Sequence, residues 1–132
     1  MADGVRSPHP NALPNYQNAE IPRNKLEGYA LDPTHEARDP SGHHGKDKAR
    51  VFKSALGSDQ SNWEVLAQGI MDELSYHEAV LETQSEWGTA YRVDLPIVGV
   101  NGNMANVRTA WLVRRGTHHP SLITLWVLSK GE

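Results

Sequence analysis

Between residues 61 and 74 the apolar side chains recur every three to four positions: Trp63, Leu66, Ala67, Ile70, Met71 and Leu74, with Glu64, Gln68, Asp72 and Glu73 between them. That period is one face of an amphipathic helix, and Ser61 followed by Glu64 has the spacing of a capping box. A shorter stripe of Ala49, Phe52, Ala55 and Leu56 predicts an earlier helix over about 47–56, with Gly57 as its stop. After His77 the period changes to two. Strands are predicted over about 79–83, 89–95, 104–114 and 122–128. Asn101-Gly102 suits the positive φ of the turn between the second and third strands, and residues 115–120 supply the next turn.

Helices followed by strands on short connections predict an α+β domain, in which N-terminal helices pack on one face of a four-stranded antiparallel β-meander. The opposite face is left free. Residues 25–31 read as a short turn or helix that Asp32-Pro33 ends. Residues 1–20 carry Pro8, Pro10 and Pro14 with no apolar period, and are expected to be a flexible linker ahead of a domain at 21–132.

The third and fourth strands share a small pattern, Thr109-Ala110-Trp111 and Thr124-Leu125-Trp126. With the hairpin centred between Thr117 and His118, Trp111 lies opposite Thr124 and Thr109 opposite Trp126, so all four share one face. Ala110, Leu112, Ile123, Leu125 and Val127 then face the helices. Two hydroxyls framed by two indoles suit a nucleobase or ribose, although Thr and Trp also favour strands for packing alone.

The length of 132 residues fits one domain. No apolar stretch is long enough for a membrane span, and Met1 to Gly4 carry no signal core. The absence of cysteine removes disulfides, thiolate nucleophiles and cysteine-ligated zinc. Net charge is −3, yet residues 54–91 hold seven acids and no Lys or Arg, while Arg92, Arg108, Arg114, Arg115 and Lys130 follow. An acidic back and a basic front are expected, and local potential of that kind steers a polyanion despite the negative total.

The candidate chemistry gathers in residues 35–50, which hold His35, His43 and His44 together with Arg38, Lys46, Lys48 and Arg50. Imidazoles that exchange a proton near neutrality, beside fixed positive charge, suit an enzyme acting on a phosphodiester. The same segment reads equally as a solvated polar loop. His35, His43, His44 and Asp39 also form a possible zinc or nickel site, although adjacent histidines rarely bind one ion together. His118-His119 reads as a solvated turn.

Lys25-Leu26-Glu27-Gly28-Tyr29-Ala30-Leu31-Asp32-Pro33, Gly45-Lys46-Asp47-Lys48-Ala49-Arg50-Val51-Phe52, Asn62-Trp63-Glu64, Val107-Arg108-Thr109-Ala110-Trp111 and Leu122-Ile123-Thr124-Leu125 together resemble an uncharacterised bacterial domain family. It is similar to the C-terminal toxic modules of polymorphic toxins and contact-dependent inhibition adhesins, over roughly residues 20–128. The resemblance implies a ribonuclease of the barnase/EndoU/colicin/RelE-like fold, carried by a secreted or cell-surface effector, acting in the target-cell cytoplasm and neutralised by a cognate immunity protein. It implies a monomer, or a heterodimer with that inhibitor.

On this resemblance the catalytic set is His35, Lys48, Arg108, Thr109 and Thr124. The expected substrate contacts are His43, His44, Lys46, Arg92, Trp111 and Trp126, with Tyr91 a weaker candidate. The chain departs from the family pattern in a longer stretch between His35 and Lys48, so His43 or His44 can take the role assigned to His35. The expected reaction is RNA cleavage without metal or cofactor, with transfer RNA an expectation of the fold group. A histidine removes the 2′-OH proton, Lys48 and Arg108 stabilise charge on the phosphate, Thr109 and Thr124 orient it, and a second histidine or Lys48 protonates the leaving oxygen. The alternatives are a metal-dependent nuclease built on the histidine cluster and a non-enzymatic antitoxin or immunity-type module using the acidic helix face.

Overall fold

The computed structural model describes residues 6–34 and 45–128, with side chains from residue 48 onward in the second segment. A single helical turn, α1 (Arg23–Lys25), runs into a π-helical turn over Leu26–Ala30, where the Leu31 N–H donates to Leu26 O at 2.8 Å. Two longer helices follow, α2 (Gly45–Leu56) and α3 (Trp63–Leu74). The strands are β1 (Ala79–Ser85), β2 (Gly88–Val98), β3 (Met104–Arg114) and β4 (Ser121–Val127), paired antiparallel in the order β1-β2-β3-β4. The fold is therefore α+β, with its helices on one face of an antiparallel meander.

The core lies between that face and the helices. Phe52 and Leu56 of α2 and Leu66, Ile70 and Leu74 of α3 meet Val93, Leu95, Val107, Trp111, Leu122 and Leu125 of the sheet. Helix α3 lies along β2, while α2 contacts β3 and β4. The α3 stripe is the expected one, but its start differs. Ser61 and Glu64 do not form the capping box: Asp59 Oδ1 accepts from the Ser61 N–H at 2.9 Å and Asn62 Oδ1 from the Asp59 N–H at 2.8 Å, closing a 3₁₀ turn over Gln60–Asn62 ahead of the helix. An aspartate two residues upstream reaches the orphan amides first.

Residues 6–20 do not run free as a linker. Leu13 is fully buried in the core, the His9 N–H donates to Ser75 O, the Ala79 N–H donates to Asn11 O, and Glu20 bridges to Ser121 beside β4. One leucine with satisfied backbone on either side docks a proline-rich segment that has no period of its own.

The β3 faces differ from expectation by one residue. Trp111 lies opposite Leu122, Thr109 opposite Leu125, Ala110 opposite Thr124 and Arg108 opposite Trp126. A slip of one position moves every side chain to the other face, so Thr109 and Trp111 point into the core, while Arg108, Ala110 and Leu112 line the outer face. On β4 the expectation holds for Leu125 and Val127, which pair with the inward Thr109 and Val107, and for Thr124 and Trp126, which pair with outward residues. The register shifts at Ile123, a bulge that places Leu122 and Thr124 on opposite faces despite their spacing of two.

The β2–β3 turn closes against the end of α2. Gly57 stops the helix at φ 73°, its N–H donating to Lys53 O at 2.9 Å, and Gly99 passes so close that an added Cβ would stand 2.1 Å from Leu56 O. Both partners are backbone, so neither can yield cheaply. Gly99→Ala is expected to cost about 1–3 kcal/mol, read as a lower urea midpoint with an unchanged slope.

Candidate functional site

Lys48 sits one turn before Phe52 on the buried stripe of α2, and its side chain is only 2% exposed. An aliphatic residue would suit that position. Instead the stem carries an ammonium beside β4, where Nζ donates to Thr124 Oγ1 at 2.7 Å. Nζ also stands 4.9 Å from the Tyr29 ring centroid and 5.6 Å from that of Trp126, so two aromatic faces flank the charge. Burial, and secondarily the positive charge of Lys25, lowers the Lys48 pKa to about 7. A lysine that is half protonated at neutrality can exchange a proton in a reaction. Burial also raises the Tyr29 hydroxyl above its ordinary value.

Trp126 and Thr124 bring this group to the outer face of the sheet, where Arg108 is the direct neighbour of Trp126 across the β3–β4 pair. Arg108 is held in a bidentate ion pair, its Nε 2.9 Å from Asp94 Oδ1 and an Nη 3.0 Å from Asp94 Oδ2. This fixes the plane of the guanidinium. Lys48 thus meets Thr124 and Trp126, and Arg108 lies beside Trp126 across the strand pair.

Thr109 and Trp111 do not join them. Thr109 is fully buried, donates through Oγ1 to Val93 O at 2.7 Å and accepts the Trp111 indole N–H at 2.8 Å. It satisfies the polar atom of the largest core side chain and orients no phosphate; Trp111, also fully buried, stacks no base. Tyr91, opposite Trp111, packs against the same core. Arg92 is on the outer face but bonds Glu82 at 3.2 Å. His35, His43, His44 and Asp39 lie outside the described residues, as does the side chain of Lys46. His118 and His119 are exposed in the β3–β4 turn, where His118 O accepts from Asn15 Nδ2.

The expected partition into an acidic back and a basic front is blurred by pairing. Arg92 and Arg108 each meet a carboxylate on the outer face. On α3, Glu73 binds Arg6 and His77, and the Arg6 hydrogen bonds in particular lower its pKa to about 2. Sequence reasoning passed over Tyr29 and Asp94 as members of the site. Tyr29 lies in the stretch read as a short turn or helix, and no motif marks Asp94; their roles depend on which strands and turns become neighbours.

A family model described as Domain of unknown function (DUF6883) matches residues 12–129. The chain belongs to this family. The match begins one residue before Leu13, the apolar anchor of the N-terminal segment, so the DUF6883 domain includes part of the stretch expected to be a linker. No curated protein and no solved structure matches the chain. Among the described residues of this DUF6883 domain no helix is long and apolar enough to cross a membrane, and no group of three His, Asp or Glu side chains stands where it could hold a metal ion.

Proposed function

We propose that this DUF6883 domain is a metal-independent ribonuclease, the toxic module of a bacterial polymorphic toxin of the RelE/barnase/EndoU-like group, held in check by a cognate immunity protein. The observation that carries the reading is Lys48: a buried amine of pKa about 7, bonded to Thr124 and flanked by Tyr29 and Trp126 on the same sheet face as Arg108.

In the proposed reaction a histidine from His35, His43 or His44 takes the 2′-OH proton, and the alkoxide attacks the adjacent phosphorus. A P–O bond forms to the 2′-oxygen and the bond to the 5′-oxygen breaks, giving a 2′,3′-cyclic phosphate. Lys48 delivers its proton to the departing 5′-oxygen; Arg108 and the Thr124 hydroxyl bear on the phosphate oxygens. With Thr109 committed to Trp111, Thr124 is the one threonine left for that contact.

Purified protein incubated with total RNA in EDTA is expected to yield fragments ending in 2′,3′-cyclic phosphate. Expression in bacteria should arrest growth, with rescue by the immunity protein. Intact RNA with and without EDTA, together with harmless expression, would overturn the reading; cleavage that EDTA abolishes would transfer it to a metal-dependent nuclease.

A further inference from the structure

At the end of the sheet away from the β2–β3 turn, the β1–β2 and β3–β4 turns meet. The Arg115 N–H donates to Trp87 O at 2.9 Å, and Ser85, Thr89, Arg114, Arg115 and Thr117 line a cavity of about 330 Å³ between them. Two features set this corner apart. Arg6, Arg23, Arg92 and Arg108 are each tied to a carboxylate, whereas Arg114 and Arg115 form no ion pair among the described residues. Glu86, exposed in the same turn, pairs with neither. Beside them Trp87 is 73% exposed, although every other tryptophan is at least half-buried.

We infer that this corner is a second RNA subsite, in which Arg114 and Arg115 hold a backbone phosphate and the Trp87 indole stacks on an unpaired base. The inference rests on the ribonuclease reading for the identity of its ligand. Charge and an open π-face side by side are the two elements of single-strand recognition, and the Thr89 hydroxyl on the cavity wall adds a donor for phosphate or 2′-OH. Of the exposed aliphatic side chains, Val98, Val100 and Met104 gather at the opposite, β2–β3 end.

The position also fits. Arg114 shares the outer face of β3 with Arg108, Ala110 and Leu112, and Ala110 lies directly opposite Thr124. Four residues separate Ala110 from Arg114, about 13 Å at ~3.3 Å per residue. A strand with its scissile phosphate at Lys48 and Thr124 can therefore run along β3 and reach the corner within a few nucleotides.

The test is fluorescence polarisation with a labelled single-stranded 2′-O-methyl RNA, which lacks the attacking hydroxyl and so reports binding without cleavage. Arg114→Ala combined with Arg115→Ala is expected to weaken binding at least tenfold and to flatten the dependence of log affinity on log salt by about 0.7, the slope for one phosphate on a single strand. Trp87→Ala is expected to weaken binding by roughly 5- to 100-fold with the salt slope unchanged. All three residues are exposed, and matching thermal unfolding would show that the variants fold. Wild-type affinity and slope in the arginine variant would overturn the inference. So would unchanged oligonucleotide binding accompanied by loss of self-association in sedimentation, which would assign the corner to a protein contact. Binding that the variants abolish, beside an absence of cleavage of unmodified RNA, would uphold the subsite and overturn the ribonuclease reading alone.

Discussion

A Lys48→Met protein is expected to cleave RNA roughly 100- to 10,000-fold more slowly than the wild type, the range for losing a positioned proton donor, while unfolding at an equal or higher urea concentration. The two halves of that result separate chemistry from structure. Methionine fills the aliphatic path of the lysine and removes a charge that burial disfavours. The pH dependence gives the sign. Lys48 has a native pKa of about 7, below its unfolded value of 10.5. Between these values the unfolded chain binds a proton that the folded chain does not, so wild-type stability rises with pH through that window. The penalty is fully present below about 7 and absent above 10.5, at about 1.4 kcal/mol for each tenfold change in proton affinity as an upper bound. In Lys48→Met this slope disappears. Activity moves the opposite way: the proton donor is lost as pH rises through about 7, so wild-type cleavage should fall on the alkaline side, with the histidine base limiting it on the acid side. A pH–rate profile that stays flat from 6 to 9 would remove Lys48 from the proton transfer.

Trp111→Ala carries the largest expected cost to the fold. The side chain is fully buried between β2 and β4, with Tyr91 and Leu122 directly across the sheet, and its truncation leaves a cavity worth about 3–5 kcal/mol. That is a large part of the about 5–15 kcal/mol that a domain of this size holds in total. The Thr109 hydroxyl then loses the indole N–H it accepts, but keeps its bond to Val93 O. Thr109→Val, which strands the buried indole N–H instead, should cost about 1–3 kcal/mol. Urea unfolding followed by circular dichroism measures both. If Thr109→Val abolished cleavage with its stability intact, the threonine would return to the reacting phosphate and the assignment of its hydroxyl to the core would fail.

The helices and the β3 boundaries were legible because apolar period is a local property. Trp63, Leu66, Ile70 and Leu74 repeat at helical spacing whatever packs on them, and Met104 to Arg114 was bounded correctly by turn residues at both ends. The faces of β3 were not. Thr109, Trp111, Thr124 and Trp126 look alike in sequence, and their sides depend on where the hairpin turns and on the extra residue at Ile123, neither of which alternation reveals. The site divides in the same way. Lys48, Thr124 and Arg108 could be named from the sequence, while Tyr29 and Asp94 belong to the site only because a π-helical turn and the middle of β2 come to lie beside them. Leu13 was missed for a related reason: a lone leucine among prolines has no period, yet one side chain suffices to dock a segment whose backbone is paired elsewhere.

The bulge at Ile123 lets a short strand serve two masters. Without the extra residue, Leu122 and Thr124 would point the same way, and β4 would have to give up either the leucine that closes the interior or the hydroxyl that meets Lys48. With it, the first half of the strand answers to packing and the second half presents Thr124 and Trp126 outward, while Leu125 still turns in. Drift in the interior can thus be absorbed upstream of Ile123 without re-aiming the polar residues downstream, so the two halves of β4 are free to change on separate terms.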